Sequence, residues 1–137
     1  MAIFIFSGYI FLLSSINPPL LSASPLIVNT SSDGVQRAEI IVDTYSYTPN
    51  HLLVIVNRPV ELTLKSVTWV VPHNFVLKAP EAGFDISKDI PAGQTITLSF
   101  TPTKEGRFKF LCDKKLLFFK SHQEKGMEGI LEVKGSD

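Results

Sequence analysis

Cysteine is nearly missing from this chain: Cys112 is the only one in 137 residues, so no intramolecular disulfide can form. Histidine is scarce as well. His51, His73 and His122 are the full set, which excludes any metal centre needing many imidazoles from this chain alone. Neither charge is in excess, with 13 basic and 13 acidic residues, so the global electrostatic footprint of a nucleic-acid binder is lacking. Charge of either sign is absent before Asp33. The length leaves room for one core, and 45% hydrophobic against 19% charged residues argues against disorder.

The charge-free beginning has a pattern of its own. Met1 to Leu13 is almost continuously apolar and is broken by Ser14-Ser15 and Pro18-Pro19. Such a run is too short to cross a bilayer but suits the core of a signal peptide. Small residues follow at Ser22-Ala23-Ser24, where a peptidase can cut. The expected organisation is therefore a signal peptide over 1–24, a linker over 25–35 and one domain over 36–137. Left uncleaved, the first segment would act as a membrane anchor. Export to the periplasm or another oxidising compartment makes an unpaired thiol a liability. A metal bond explains Cys112; a buried inert thiol is the plainer alternative.

Period-2 alternation dominates the rest. Val60, Leu62 and Leu64 alternate with Glu61, Thr63 and Lys65; Ile96, Leu98 and Phe100 alternate with threonines and Ser99. Phe108, Phe110 and Cys112 share one parity, as do Leu131 and Val133. Less regular strands are expected at 38–45, 52–57 and 73–78. Turn chemistry at Thr48-Pro49-Asn50, Asn57-Arg58-Pro59, Pro91-Ala92-Gly93 and 101–106 separates them. About seven short strands, each with one apolar face, predict an all-β, two-sheet antiparallel sandwich. Residues 113–125 break the alternation and read as a long loop or as a short helix capped by Asp113.

Register places the chemistry. Cys112 points inward at the end of its strand, in phase with Phe108 and Phe110, and His73 points inward at the start of another, in phase with Phe75 and Leu77. His122 and Met127 follow Cys112 on the next connection. Taken singly, each has an ordinary reading: a core thiol, a hydrogen-bonded core histidine, a solvated histidine, a core methionine. Taken together, two imidazoles, a thiolate and a thioether suit copper, because a His₂Cys set with a weak axial Met accepts both copper oxidation states. Zinc would more often recruit a second Cys or a carboxylate. His51 reads as a surface residue, and Trp69, Tyr45 and Tyr47 as core or rim packing.

Residues 49–134 resemble the cupredoxins, the plastocyanin/azurin family of small exported copper proteins. The matching pieces are Pro72-His73-Asn74-Phe75, Pro91-Ala92-Gly93, Thr101-Pro102 to Gly106, Phe110-Leu111-Cys112 and His122 through Met127 to Gly129. The resemblance implies a Greek-key sandwich and one copper ion held by His73, Cys112, His122 and Met127. It implies that Asn74 ties the two ligand loops together. It further implies one-electron transfer with a redox partner protein, such as a cytochrome or a membrane oxidase or reductase. The chain is also similar to the copper domain of cytochrome oxidase subunit II, but the dinuclear centre there needs a second Cys where Leu116 stands. The family usually keeps Cys and the second His much closer than the stretch 113–121 allows.

Two functions follow as expectations: an electron carrier, or a periplasmic copper storage or delivery protein that does not cycle its oxidation state. Enzyme activity is not expected, since copper oxidases need a further His-rich centre that three histidines cannot supply. The long connection adds Lys114, Lys115 and Lys120 to the apolar run Leu116–Phe119. Either Leu116 and Phe119 fold inward and seal the site, or the loop forms a docking face for an acidic partner.

Overall fold

The computed structural model describes residues 24–136, so all of the expected signal peptide before Ser24 lies outside the described residues. Ten strands form two sheets: β1 (Leu26–Ile27), β2 (Gln36–Asp43), β3 (Ser46–Thr48), β4 (His51–Ile55), β5 (Val60–Ser66), β6 (His73–Ala79), β7 (Phe84–Ile90), β8 (Thr95–Phe100), β9 (Gly106–Leu111) and β10 (Glu128–Lys134). One sheet has the order β1-β4-β10-β9-β6-β7 and the other β3-β2-β5-β8. The all-β sandwich expected from the alternation is present, with corrections.

The sheets are mixed rather than antiparallel: β1 with β4, β4 with β10 and β2 with β5 run parallel. Alternation reports which face a residue occupies, and that parity is the same whichever way the neighbouring strand runs. More than seven strands are present. The unexpected long one, β7, is an edge strand with only Phe84 and Ile90 fully buried; Ile86 packs partly against the core, and Lys88 interrupts the alternation. Residues 25–35, expected as a linker, contribute β1, the buried Val28 and a Thr30–Gln36 bridge, and so are docked on the sandwich.

The core lies between the sheets where parity put it. Val60, Leu62 and Leu64 of β5 face Phe75 and Leu77 of β6, Phe110 of β9 and Leu131 and Val133 of β10, all buried. Aromatic packing stiffens the end of the core beneath Cys112. Phe75 and Phe110 stack at 5.0 Å between ring centres, and Tyr47 meets Phe110 edge-on at 5.3 Å. The topology then fixes the site. In the order β10-β9-β6 both contacts of β9 are antiparallel, so the start of β6, the end of β9 and the start of β10 share one end.

Candidate metal centre

Three of the expected residues meet at that end. His73 opens β6, Cys112 follows the last residue of β9, and His122 comes from the connection to β10; all three are buried. The Nδ1 atoms of the two histidines lie 3.2 Å apart, and Cys112 Sγ lies 3.4 Å from His122 Nδ1 and 3.9 Å from His73 Nδ1. The point equidistant from the three atoms is about 2 Å from each, the length of an ordinary metal–nitrogen or metal–sulfur bond. Met127 is fully buried beside them. Its carbonyl accepts from Cys112 N–H at 3.1 Å and its own N–H donates to the His122 carbonyl at 3.0 Å.

Asn74 joins the two halves of the site, as the resemblance implied. Its side-chain amide donates to Asp113 Oδ1, its side-chain oxygen accepts from Asp113 N–H at 3.0 Å, and its backbone N–H points at Cys112 Sγ at 3.4 Å. Asp113 is thereby spent on Asn74 and caps no helix; the connection is a loop of turns.

The long stretch after Cys112 does not displace His122. The His122 N–H donates to the Lys114 carbonyl at 2.8 Å, which closes a neck and extrudes the residues between as a bulge. A tight turn then runs from Ser121 to Met127, with Gly126 at φ +93° and Glu124 bonded to Ser121. Leu116 and Phe119 do not fold inward to seal the site; both are mostly exposed. With Tyr45, Val70 and Pro72 they wall a pocket of about 540 Å³ that reaches His122.

Trp69 is neither core nor rim: it is 93% exposed. His51 is not a free surface residue, because it begins β4 and pairs with Glu132 at 2.9 Å, both side chains largely covered. Tyr45 contributes more than rim packing. Its ring meets His122 edge-on at 5.0 Å, and Lys125 lies 4.1 Å over the same ring while donating to its hydroxyl. No spacing signal in the sequence marks it. Tyr47, inward by parity, donates its hydroxyl to the Asn74 carbonyl and so supports the same residue.

Electrostatics leave the donors ready for a cation. Burial, helped by the neighbouring His122, depresses His73 to about 4, and burial followed by Lys125 and Lys114 depresses His122. Both imidazoles are therefore neutral at pH 7, with lone pairs available. Burial raises the Cys112 thiol, so a metal must displace its proton. His73 Nε2 is buried with no hydrogen-bond partner. Two buried Nδ1 atoms turned toward each other and toward a sulfur form a poor hydrogen-bonding arrangement and a good ligand triangle. The soft sulfur and borderline imidazole donors fit one copper ion.

Solved structures of several copper proteins share this fold. The chain has the fold of the Cu(I)-bound metal-binding domain of a Cu(I)-exporting P-type ATPase from Streptococcus pneumoniae D39 (18% identity, 82% of this chain and 98% of that one, TM-score 0.63). It is similar to auracyanin A, a blue copper protein of Chloroflexus aurantiacus (18% identity, 74% and 100%, TM-score 0.57). It is also similar to the periplasmic domain of cytochrome oxidase subunit II of Bradyrhizobium japonicum (17% identity, 73% and 84%, TM-score 0.55). No curated protein matches the sequence. The family model of the cupredoxin-like domain matches residues 3–128, nearly the whole chain, and the protein belongs to that family.

Proposed function

We propose that the protein is an exported one-electron carrier that holds a single copper ion through His73, Cys112, His122 and Met127. The observation that carries the reading is the buried triangle of His73 Nδ1, Cys112 Sγ and His122 Nδ1, already at bonding separations from a common centre. The bound ion supplies reversible one-electron chemistry. The chain supplies rigidity. Asn74 ties the His73 strand to the Cys112 strand, the neck between His122 and Lys114 fixes the second histidine, and Phe75 and Phe110 back the sulfur. A donor set that cannot shift has the same geometry in both oxidation states, which keeps the barrier to electron transfer low. The backbone N–H of Asn74 toward Sγ stabilises negative charge on the sulfur. His122, at the pocket floor, is the ligand nearest to solvent and to a partner. That partner is a redox protein, such as a cytochrome or a membrane oxidase or reductase, and the chain itself catalyses no reaction.

A second reading, copper storage or delivery without redox cycling, draws on the same pocket, which gives an ion a route out past His122. A Cu(I) exporter's domain of this fold supports it. Reduction potential and electron self-exchange of the copper-loaded protein separate the two. A carrier shows a reversible couple and fast self-exchange. A storage or delivery protein shows neither and yields Cu(I) readily to a competing chelator.

A further inference from the structure

The end of the sandwich that bears the candidate metal centre also bears the most exposed apolar side chains of the described residues. Trp69 is 93% exposed and Phe118 wholly exposed, and Val70, Leu116, Leu117 and Phe119 are largely so. They form two protruding tips, one between β5 and β6 and one in the bulge after Cys112. Both border the pocket over His122 through Val70, Leu116 and Phe119. The bulge is shaped to hold its side chains out: the neck closes behind it, Phe119 N–H turns back to the Leu116 carbonyl, and Leu117 sits at φ +48°. Large apolar side chains exposed on both sides of one pocket mark an interaction site.

We propose that this end docks onto an anionic lipid surface. The charges around the tips point to the sign of the partner. No acidic residue occurs between Lys114 and Gln123, while Lys114, Lys115 and Lys120 bracket the apolar run and Lys125 lines the pocket. Lys114 is paired with Asp89 and Lys125 lies on Tyr45, but Lys115 and Lys120 form no ion pair among the described residues. Glu124, the nearest acid after them, is bonded to Ser121. Aromatic and aliphatic tips that enter the headgroup layer, ringed by lysines that reach back to anionic headgroups, are the signature of interfacial binding. A flat acidic protein face would satisfy the lysines yet leave Trp69 and Phe118 without an apolar layer to enter.

The strand register adds an independent argument. Leu26 of β1 is level with Leu52 of β4, which is level with Leu131 of β10, three residues past the start of β10 at Glu128. The described chain therefore arrives at the metal-bearing end, the end that carries the tips. The stretch before it is apolar over 1–13 and uncharged up to Asp33. Lacking acids, that stretch cannot be what the lysines await, whereas an attached apolar segment would draw the same end toward a bilayer.

Trp69 is the only tryptophan, so its emission reports contact at the tip itself. The test titrates the copper-treated full chain with phosphatidylcholine vesicles and with vesicles of phosphatidylcholine mixed with phosphatidylglycerol. Copper content is measured separately, so a failed metal site does not masquerade as failed docking. The expected result is a blue shift of Trp69 and its protection from aqueous iodide on the mixed vesicles only. Lys115→Gln with Lys120→Gln should weaken that response roughly fivefold per lysine, and Phe118→Ser should weaken it with the lysines intact. Sedimentation with vesicles while Trp69 stays quenchable would show attachment by the first segment alone and overturn the proposal. Equal shielding on neutral vesicles, or shielding that rises with protein concentration in their absence, overturns it too, the latter in favour of a second copy. No response to either vesicle leaves the face to an acidic protein and overturns it as well.

Discussion

Gly129→Ala tests whether the packing under Cys112 is as tight as the strand register makes it. Gly129 lies in β10 directly across from Phe110 of β9, on the inward face. A methyl group added there overlaps the Phe110 ring and comes 2.5 Å from the Asn50 carbonyl oxygen. Neither neighbour can retreat. The Phe110 ring is fully buried, stacked on Phe75 and met edge-on by Tyr47, and the Asn50 carbonyl holds Ile130 N–H at 2.8 Å. Overpacking a filled core costs about 1–3 kcal/mol, and a site closed on both sides belongs at the upper end. At about 3 kcal/mol, a domain of this size loses roughly 10–15 °C in melting temperature. Calorimetry or circular dichroism of the metal-free protein measures it, with Gly126→Ala as the control. At Gly126 an added methyl meets nothing within 4 Å, so only its φ of +93° is strained, at about 1–2 kcal/mol. A Gly129→Ala protein melting within about 2 °C of the parent would refute the packing argument.

Other outcomes follow from the same geometry. Asn74→Ala removes both side-chain bonds to Asp113 and should cost about 2 kcal/mol in urea unfolding, with an altered copper spectrum; a loss below about 0.5 kcal/mol would mean that the tie is not structural. His73 titrates near 4 when folded against 6.5 when unfolded, so its contribution is whole above pH 6.5 and disappears as pH falls toward 4. The metal-free protein should therefore lose on the order of 3 kcal/mol between pH 7 and pH 4 from this group, read as a falling urea midpoint; a midpoint that rises on acidification contradicts the assignment. Met127→Leu should keep copper and raise the reduction potential, because an axial thioether tunes the centre more than it holds it; an unchanged spectrum and potential would make Met127 a core residue only.

The parity of Val60-Leu62-Leu64 and of Phe108-Phe110-Cys112 was enough to place the core and to turn Cys112 inward, since a strand has only two faces. The ordered set His73, Cys112, His122 and Met127 stood out for its motif contexts, and three of these side chains meet in the structure. What alternation could not carry is pairing direction, hence the parallel contacts of β1, β2, β4, β5 and β10. Edge strand β7 escaped because Lys88 interrupts the alternation of Phe84, Ile86 and Ile90. The bulge after Cys112 was legible in length but not in shape. Its outward apolar side chains contradict the rule that such residues seek the core, and the neck that extrudes them is a backbone bond with no sequence signature. Trp69 stands exposed between β5 and β6, and hydrophobicity alone does not tell a loop tip from the core.

The most direct test of the copper assignment is the visible spectrum of the protein loaded with one equivalent of Cu(II), for the parent and for Cys112→Ser. The Cys112 thiolate bound to copper at the centre of the His73–Cys112–His122 triangle should give an intense charge-transfer band, and Cys112→Ser should abolish that band while the far-ultraviolet signature of the sandwich is kept. Copper bound stoichiometrically by the parent without colour, or an identical spectrum after Cys112→Ser, would contradict the account.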